Sequence, residues 1–162
     1  MYSALAVANA FIKRSREGQL AKLTPMKLQK LLFFTQSWHL KINKAPLFDD
    51  LFARWQYGPV IPSIYHEFKS YGAEIIKDYG KTIVKDDDRD FGFKVIIPEI
   101  DWEGDKNTVI FIDKIIEVYG GYTGWALSVM THETGTAWQI SGNPDGGPIP
   151  FKDMAEHIHP AS

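Results

Sequence analysis

Thr24-Pro25-Met26-Lys27-Leu28-Gln29-Lys30-Leu31-Leu32-Phe33-Phe34-Thr35-Gln36-Ser37-Trp38-His39-Leu40-Lys41 reads as one long helix in a chain of 162 residues. Thr24 supplies an oxygen for a free backbone N–H, and Pro25 at the first helical position loses no hydrogen bond. Leu28, Leu31, Leu32, Thr35, Trp38 and His39 fall on one stripe, flanked by Lys27, Gln29, Lys30 and Gln36. Upstream, Ala4, Leu5, Ala8, Phe11 and Ile12 predict a helix over about 3–16, stopped at Gly18. Downstream, 43–46 is a loop, and Leu47-Phe48-Asp49-Asp50 reads as a short helix start, its acids suited to a helix N-terminus.

Trp55-Gln56-Tyr57-Gly58-Pro59-Val60-Ile61-Pro62-Ser63-Ile64-Tyr65-His66-Glu67-Phe68 is the most constrained segment. The residue before a proline avoids the helical region, so Gly58-Pro59 breaks what precedes it. Pro62 or Ser63 opens a helix with Ile64, Tyr65, Phe68 and Tyr71 as its apolar stripe, ended by Gly72. Thr82-Ile83-Val84 and Phe93-Lys94-Val95-Ile96-Ile97 predict a hairpin that must lie on helices to be stable. Residues 98–107 read as loop, Val109–Tyr119 as helix stopped by Gly120-Gly121, Trp125–Thr131 as a short helix, 142–150 as a loop and Phe151–Ile158 as a last short helix. The fold class expected is α+β, predominantly α-helical. It is one compact domain over 1–162 with about five to seven helices and a small antiparallel β-hairpin at about 82–97.

Composition narrows the function classes. Hydrophobic residues make up 44% and charged residues 23%, the balance of a globular chain rather than a disordered one. With no cysteine there is no disulfide framework, thiolate metal site or cysteine nucleophile. No apolar run approaches a membrane span of about 20 residues, and the N-terminus lacks the order of a signal peptide. A cytoplasmic protein with no membrane partner is expected. Residues 1–44 hold eight Lys and Arg (Lys13, Arg14, Arg16, Lys22, Lys27, Lys30, Lys41, Lys44) against Glu17 alone, a net of +7 that leaves −9 on the remainder. Two readings follow: a face for nucleic acid or an acidic partner, or two basic helices lying beside acidic neighbours. The sequence pI of 6.2 disfavours nucleic acid as the partner.

Chemistry-bearing motifs fail on spacing. Asp86, Asp88 and Asp90 begin like a calcium loop, but its sixth and twelfth positions are Phe91 and Ile97 instead of Gly and Glu. His132-Glu133 starts like a zinc-protease helix whose second histidine position is Thr136. His157 and His159 alone make no structural zinc site and read as a solvated tail. Gly120-Gly121-Tyr122-Thr123-Gly124 lacks the lysine of a phosphate loop. No metal, cofactor or catalytic residue is expected.

Aromatic residues concentrate instead. Ten of the chain's 22 lie between Phe33 and Tyr71. Phe34, Trp38, Tyr65 and Phe68 read as core. Trp55 and Tyr57, beside Arg54 and Gln56 at a proline-braced turn, carry two readings: turn bracing, or anchors of an interface that lose little entropy on binding.

Three blocks resemble a known family. Met26-Lys27-Leu28-Gln29-Lys30-Leu31-Leu32-Phe33-Phe34 with Gln36-x-Trp38-His39-Leu40 is similar to the opening helix of the Panacea domain, the SocA-like (phage-associated GepA-like) antitoxin family. Pro46-Leu47-Phe48-Asp49-Asp50 with Trp55-x-Tyr57-Gly58-Pro59-Val60-x-Pro62-x-Ile64-Tyr65 resembles its centre, and Leu127-Ser128-x-x-Thr131-His132-x-x-x-x-x-Trp138 its last block. The resemblance implies a non-enzymatic antitoxin of a toxin–antitoxin pair that neutralises a cognate protein toxin, encoded by the adjacent gene, by direct binding. Arg54, Trp55, Gln56 and Tyr57 are then the candidate toxin-binding residues. Lys27, Leu28, Gln29, Lys30, Trp38, Gly58, Pro59, Pro62, Tyr65, Thr131, His132 and Trp138 are motif residues read as structural. The alternatives are an adaptor that delivers the toxin to a ClpXP-type protease, and a nucleic-acid-binding regulator using the basic N-terminal helices. A homo-oligomer is a further expectation. The chain starts almost at the domain's first helix, which argues against the separate DNA-binding module that many relatives add.

Overall fold

In a computed structural model, which describes residues 1–142 and 144–160, the chain is α+β and predominantly helical. Seven α-helices and two two-stranded antiparallel sheets are found among the described residues. Helix α1 (Ala4–Arg16) is capped by Ser3, whose side chain accepts from Ala6 N. The central helix α2 (Pro25–Asn43) is capped by Thr24, whose hydroxyl accepts from Lys27 N, and it closes at Lys44 in the left-handed region. Short strands β1 (Ala53–Trp55) and β2 (Gly58–Val60) lead into α3 (Pro62–Phe68) and a single 3-10 turn, Lys69–Tyr71. Strands β3 (Thr82–Lys85) and β4 (Phe93–Ile96) form the expected second hairpin. Then come α4 (Lys106–Tyr119), α5 (Gly124–His132), α6 (Ala137–Ile140) and α7 (Phe151–Glu156).

Helix α2 is the axis of the fold: α1, α3, α4, α5, α7 and β2 all lie against it. Its apolar stripe forms the middle of a single core with Phe11, Phe48, Phe52, Ile112, Tyr119, Leu127 and Met154. The polar residues beside that stripe are buried too, which a flanking position does not imply. A helix enclosed over most of its length must pair most of the polar side chains it buries, and on α2 Ser37 Oγ is the one left without a partner among the described residues. Gln36 donates to Phe48 O (2.6 Å) and accepts from Leu47 N (2.8 Å). Two turns earlier, Gln29 does the same to Ile61, donating to its carbonyl (3.0 Å) and accepting from its N–H (2.9 Å). Each amide stands in for a β-ladder partner to a chain that crosses the helix. Lys27 donates to Ala21 O (2.7 Å) and Gly120 O (2.6 Å), joining the α1–α2 loop to the end of α4.

Several expectations are corrected. Residues 47–50 form no helix; Phe48 bridges Tyr2, and Asp50 accepts from Ala4 N, so the acid serves the N-terminus of α1 instead. Helix α4 starts three residues before the expected Val109, because Asp105 caps it by accepting from Thr108 N. The tail after α7 is docked, not solvated: Ile158 is buried, His157 O accepts from Ala137 N, and the His159 ring meets the Tyr119 hydroxyl (2.7 Å). Tyr65 is exposed, whereas Ile64 and Phe68, four residues apart, take the inward line of the short α3. Trp38 is half-buried and donates to the Tyr119 hydroxyl (2.7 Å). The loop expected over 142–150 includes Asn143, which lies outside the described residues.

Candidate functional site

The segment from Arg54 to Pro62 is a tight hairpin running into α3. Trp55 pairs with Gly58, so Gln56 and Tyr57 form a two-residue loop. Gly58 has φ +113°, which an L side chain rarely adopts, and a Cβ there would lie 2.7 Å from Lys30 Cε and 2.8 Å from Thr131 Oγ1. Pro59, opposite Arg54, donates nothing to the ladder and fits a two-stranded edge. On its other side β1 meets residues 146–149, with Arg54 N donating to Gly147 O and Ile149 N to Phe52 O.

Side chains from other elements take the carbonyls of this turn one by one. Trp138 Nε1 donates to Trp55 O (3.0 Å), His132 Nε2 meets Gln56 O (2.8 Å), and Ser128 Oγ donates to Tyr57 O (2.6 Å). Lys30 Nζ donates to Pro59 O (3.2 Å), and Gln29 takes both backbone groups of Ile61. The clasp thus draws on α2, about 30 residues upstream of the hairpin, and on α5 and α6, more than 70 residues downstream of it. Its own members are fixed in turn. His132 Nδ1 lies 2.6 Å from Ser128 O, and its ring is 4.0 Å from that of Trp138. Thr131 Oγ1 donates to Ser128 O (2.7 Å). Arg54 is buried, donates from Nε to Trp138 O (2.8 Å) and lays its guanidinium over the Trp138 ring at 5.0 Å.

With the backbone held from behind, the loop's side chains point away from the protein. Gln56 is exposed and Tyr57 is 56% exposed. Trp55 is half-buried, its ring edge-on to Tyr65 at 4.9 Å. Beneath these rings, between α2 and α3, lies an apolar pocket of about 220 Å³. Met26, Leu28, Val60, Ile64 and Phe68 form its walls, Trp55, Tyr57 and Tyr65 contribute rings, and Lys30 is its one cationic lining residue. Burial lowers the Lys30 amine from the usual lysine value to about 7.

The four candidate contact residues therefore divide. Gln56 and Tyr57 face solvent, Trp55 borders the pocket, and Arg54 is spent inside the clasp. Leu28, Gln29, Lys30, Gly58, Pro59, Thr131, His132 and Trp138 come together around the hairpin; Pro62 opens α3 beside them, while Lys27 ties Ala21 to Gly120 and Trp38 lies away, against Tyr119. Sequence reasoning missed Ser128 as a turn partner and α6 as the element that delivers Trp138. It also missed Trp125 and Val129, exposed one turn apart on α5; their i, i+4 spacing was the available signal. No cluster of three His, Cys, Asp or Glu side chains able to hold a metal occurs among the described residues. No helix among them is long and apolar enough to cross a membrane.

The family model for the Antitoxin SocA-like, Panacea domain matches residues 28–139, from the first buried leucine of α2 to the end of the clasp on α6. Among curated proteins, Antitoxin SocA of Caulobacter vibrioides (strain NA1000 / CB15N) is 27% identical over 143 residues, spanning 88% of this chain and 72% of that protein. No solved structure matches the chain.

Proposed function

The chain belongs to the SocA-like antitoxin family of the Panacea domain, and on that premise we propose that it neutralises a cognate protein toxin by direct contact, without catalysis, through the face built on the Gln56–Tyr57 turn. The partner is the product of the adjacent gene, met in the cytoplasm. The observation that carries this reading is the clasp: three consecutive carbonyls, of Trp55, Gln56 and Tyr57, are each held by a side chain from α5 or α6. A turn fixed in this way loses little entropy when a partner lands on it. Tyrosine and tryptophan at its edge are the residue types that dominate interface energetics. The motif residues act as the scaffold, and Tyr57, Gln56 and Trp55 with the neighbouring Tyr65 make the contact.

The charge distribution supports a protein partner over nucleic acid. Lys27 and Lys30 are buried, Arg14 chelates Asp113 through Nε (2.8 Å) and Nη2 (3.0 Å), and Arg16 reaches Asp78 at 3.3 Å. Four of the eight basic residues of the N-terminal segment are thereby internal or paired, leaving a weaker field for phosphates.

The experiment is growth of cells that express the adjacent reading frame with and without this chain. Rescue by the wild type and loss of rescue by Tyr57→Ala, with that variant folded and equally abundant, is the expected outcome. Toxicity that the wild type leaves unchanged would sink the proposal.

A further inference from the structure

Lys30 is the one charged group in an otherwise apolar pocket, and its surroundings are unusual. The residue is 1% exposed, its amine has one acceptor among the described residues, Pro59 O, and no carboxylate lines the pocket. An ammonium carries three donors, so two are left to find partners. The opening turn of α2, with Pro25 and Met26 on the pocket, adds the positive end of a helix dipole. A volume of about 220 Å³ is below the 300–1,000 Å³ of sites that hold whole cofactors or drug-sized ligands. It suits a single side chain.

We propose, resting on the neutralisation reading above, that this pocket receives one large apolar side chain of the toxin from an acidic segment whose Asp or Glu carboxylate pairs with Lys30. The two parts answer the two features of the site. Apolar walls favour a side chain that leaves water. The buried amine, short of acceptors, favours an arriving carboxylate, and charge complementarity selects acidic over basic partners. Burial leaves the amine of the free protein half-protonated near neutral pH. A carboxylate placed against it restores the charged form, so binding at higher pH takes up a proton.

The other titratable groups on the elements around Lys30 are Lys27, His39 and Lys41 on α2, Arg54 on β1, Tyr57 on the turn, Tyr65, His66 and Glu67 on α3, and His132 on α5. A lysine variant isolates the contribution of Lys30 from theirs.

The probe is the purified protein encoded by the adjacent reading frame, titrated calorimetrically into the full chain from pH 6.5 to 8.5 in buffers of different ionisation enthalpy. For the wild type, Kd rises about tenfold over that range and proton uptake approaches one per complex at pH 8. Lys30→Met, which keeps the stem and removes the amine, binds about tenfold more weakly at pH 6.5 and loses the lysine part of the pH slope. Met26→Trp, which fills the pocket from its half-exposed edge, weakens binding at both pH values. Proton uptake near zero in the wild type overturns the proposal without any variant. Lys30→Met binding with unchanged affinity and slope does so as well, while leaving the neutralisation reading intact. A wild type that does not bind the probe at all overturns both.

Discussion

The two hairpins of this protein are built to opposite specifications. Strands β3 and β4 have the better strand sequence, Thr82-Ile83-Val84-Lys85 and Phe93-Lys94-Val95-Ile96, yet β4 is exposed along its length. Ile83 pairs with Val95 and Lys85 with Phe93, placing Ile83, Val95 and Phe93 on one face, where they are 68%, 62% and 73% exposed. Only the base of this hairpin is gripped: buried Asn9 donates to Gly80 O and Pro98 O and accepts from Gly80 N. Strands β1 and β2 have three residues each, include a proline and show no apolar alternation, yet they are mostly buried and fixed at nearly every backbone group. Strand propensity therefore decides that a hairpin forms, and donors from distant elements decide whether its turn keeps one place. A contact surface needs the second property.

The largest break in this contrast comes from the glycines of the two hairpins. Gly58→Ala puts a Cβ into Lys30 and Thr131 at positive φ and lowers stability by about 3 kcal/mol, read from denaturant unfolding. The matching Gly92→Ala puts a Cβ 2.6 Å from Arg89 Cβ, so the turn of the exposed hairpin must shift, and the cost is smaller, about 1 kcal/mol. Next in size is Gln29→Leu, which strands the Ile61 N–H and carbonyl inside the protein and costs about 2 kcal/mol.

A pH series sharpens the same point at Lys30. Its folded value of about 7 lies below the unfolded lysine value, so the unfolded chain binds the extra proton between them. Stability therefore rises as pH increases from 7 toward 10, by more than about 1 kcal/mol relative to Lys30→Met, whose profile lacks this contribution. Trp138→Phe keeps the ring and removes one turn donor, for a loss of about 1 kcal/mol. Smallest is Phe93→Ser on the free hairpin, within about 0.5 kcal/mol of wild type.

Much of the helical frame was legible. Thr24-Pro25 marked the start of α2, Pro62 that of α3, and the 82–97 hairpin followed from its β-branched and aromatic runs. The first hairpin was not, because Gln56-Tyr57 is no Asn-Gly type of turn and Pro59 argues against a strand. Its turn is held by Ser128, His132 and Trp138, and no local pattern announces a partner 71 to 83 residues away. Gln29 and Gln36 read from spacing only as flanking the stripe, since a periodicity argument cannot separate a polar residue facing water from one facing a crossing backbone. Asp49-Asp50 misled for a related reason: the acid did belong to a helix N-terminus, but to that of α1. At the candidate site, the motif residues were read as structural with no common place given to them, and the split between buried Arg54 and exposed Tyr57 needed three dimensions.

The most direct measurement is the affinity of the adjacent gene product for two single variants, Tyr57→Ala on the clasped hairpin and Phe93→Ala on the free one. Both remove an exposed ring, so stability should hold in each. The expected result is a loss of about 2 kcal/mol, roughly 30-fold, for Tyr57→Ala and less than about twofold for Phe93→Ala. Equal losses, or the larger loss at Phe93, would contradict the assignment of the clasped turn as the toxin-binding face.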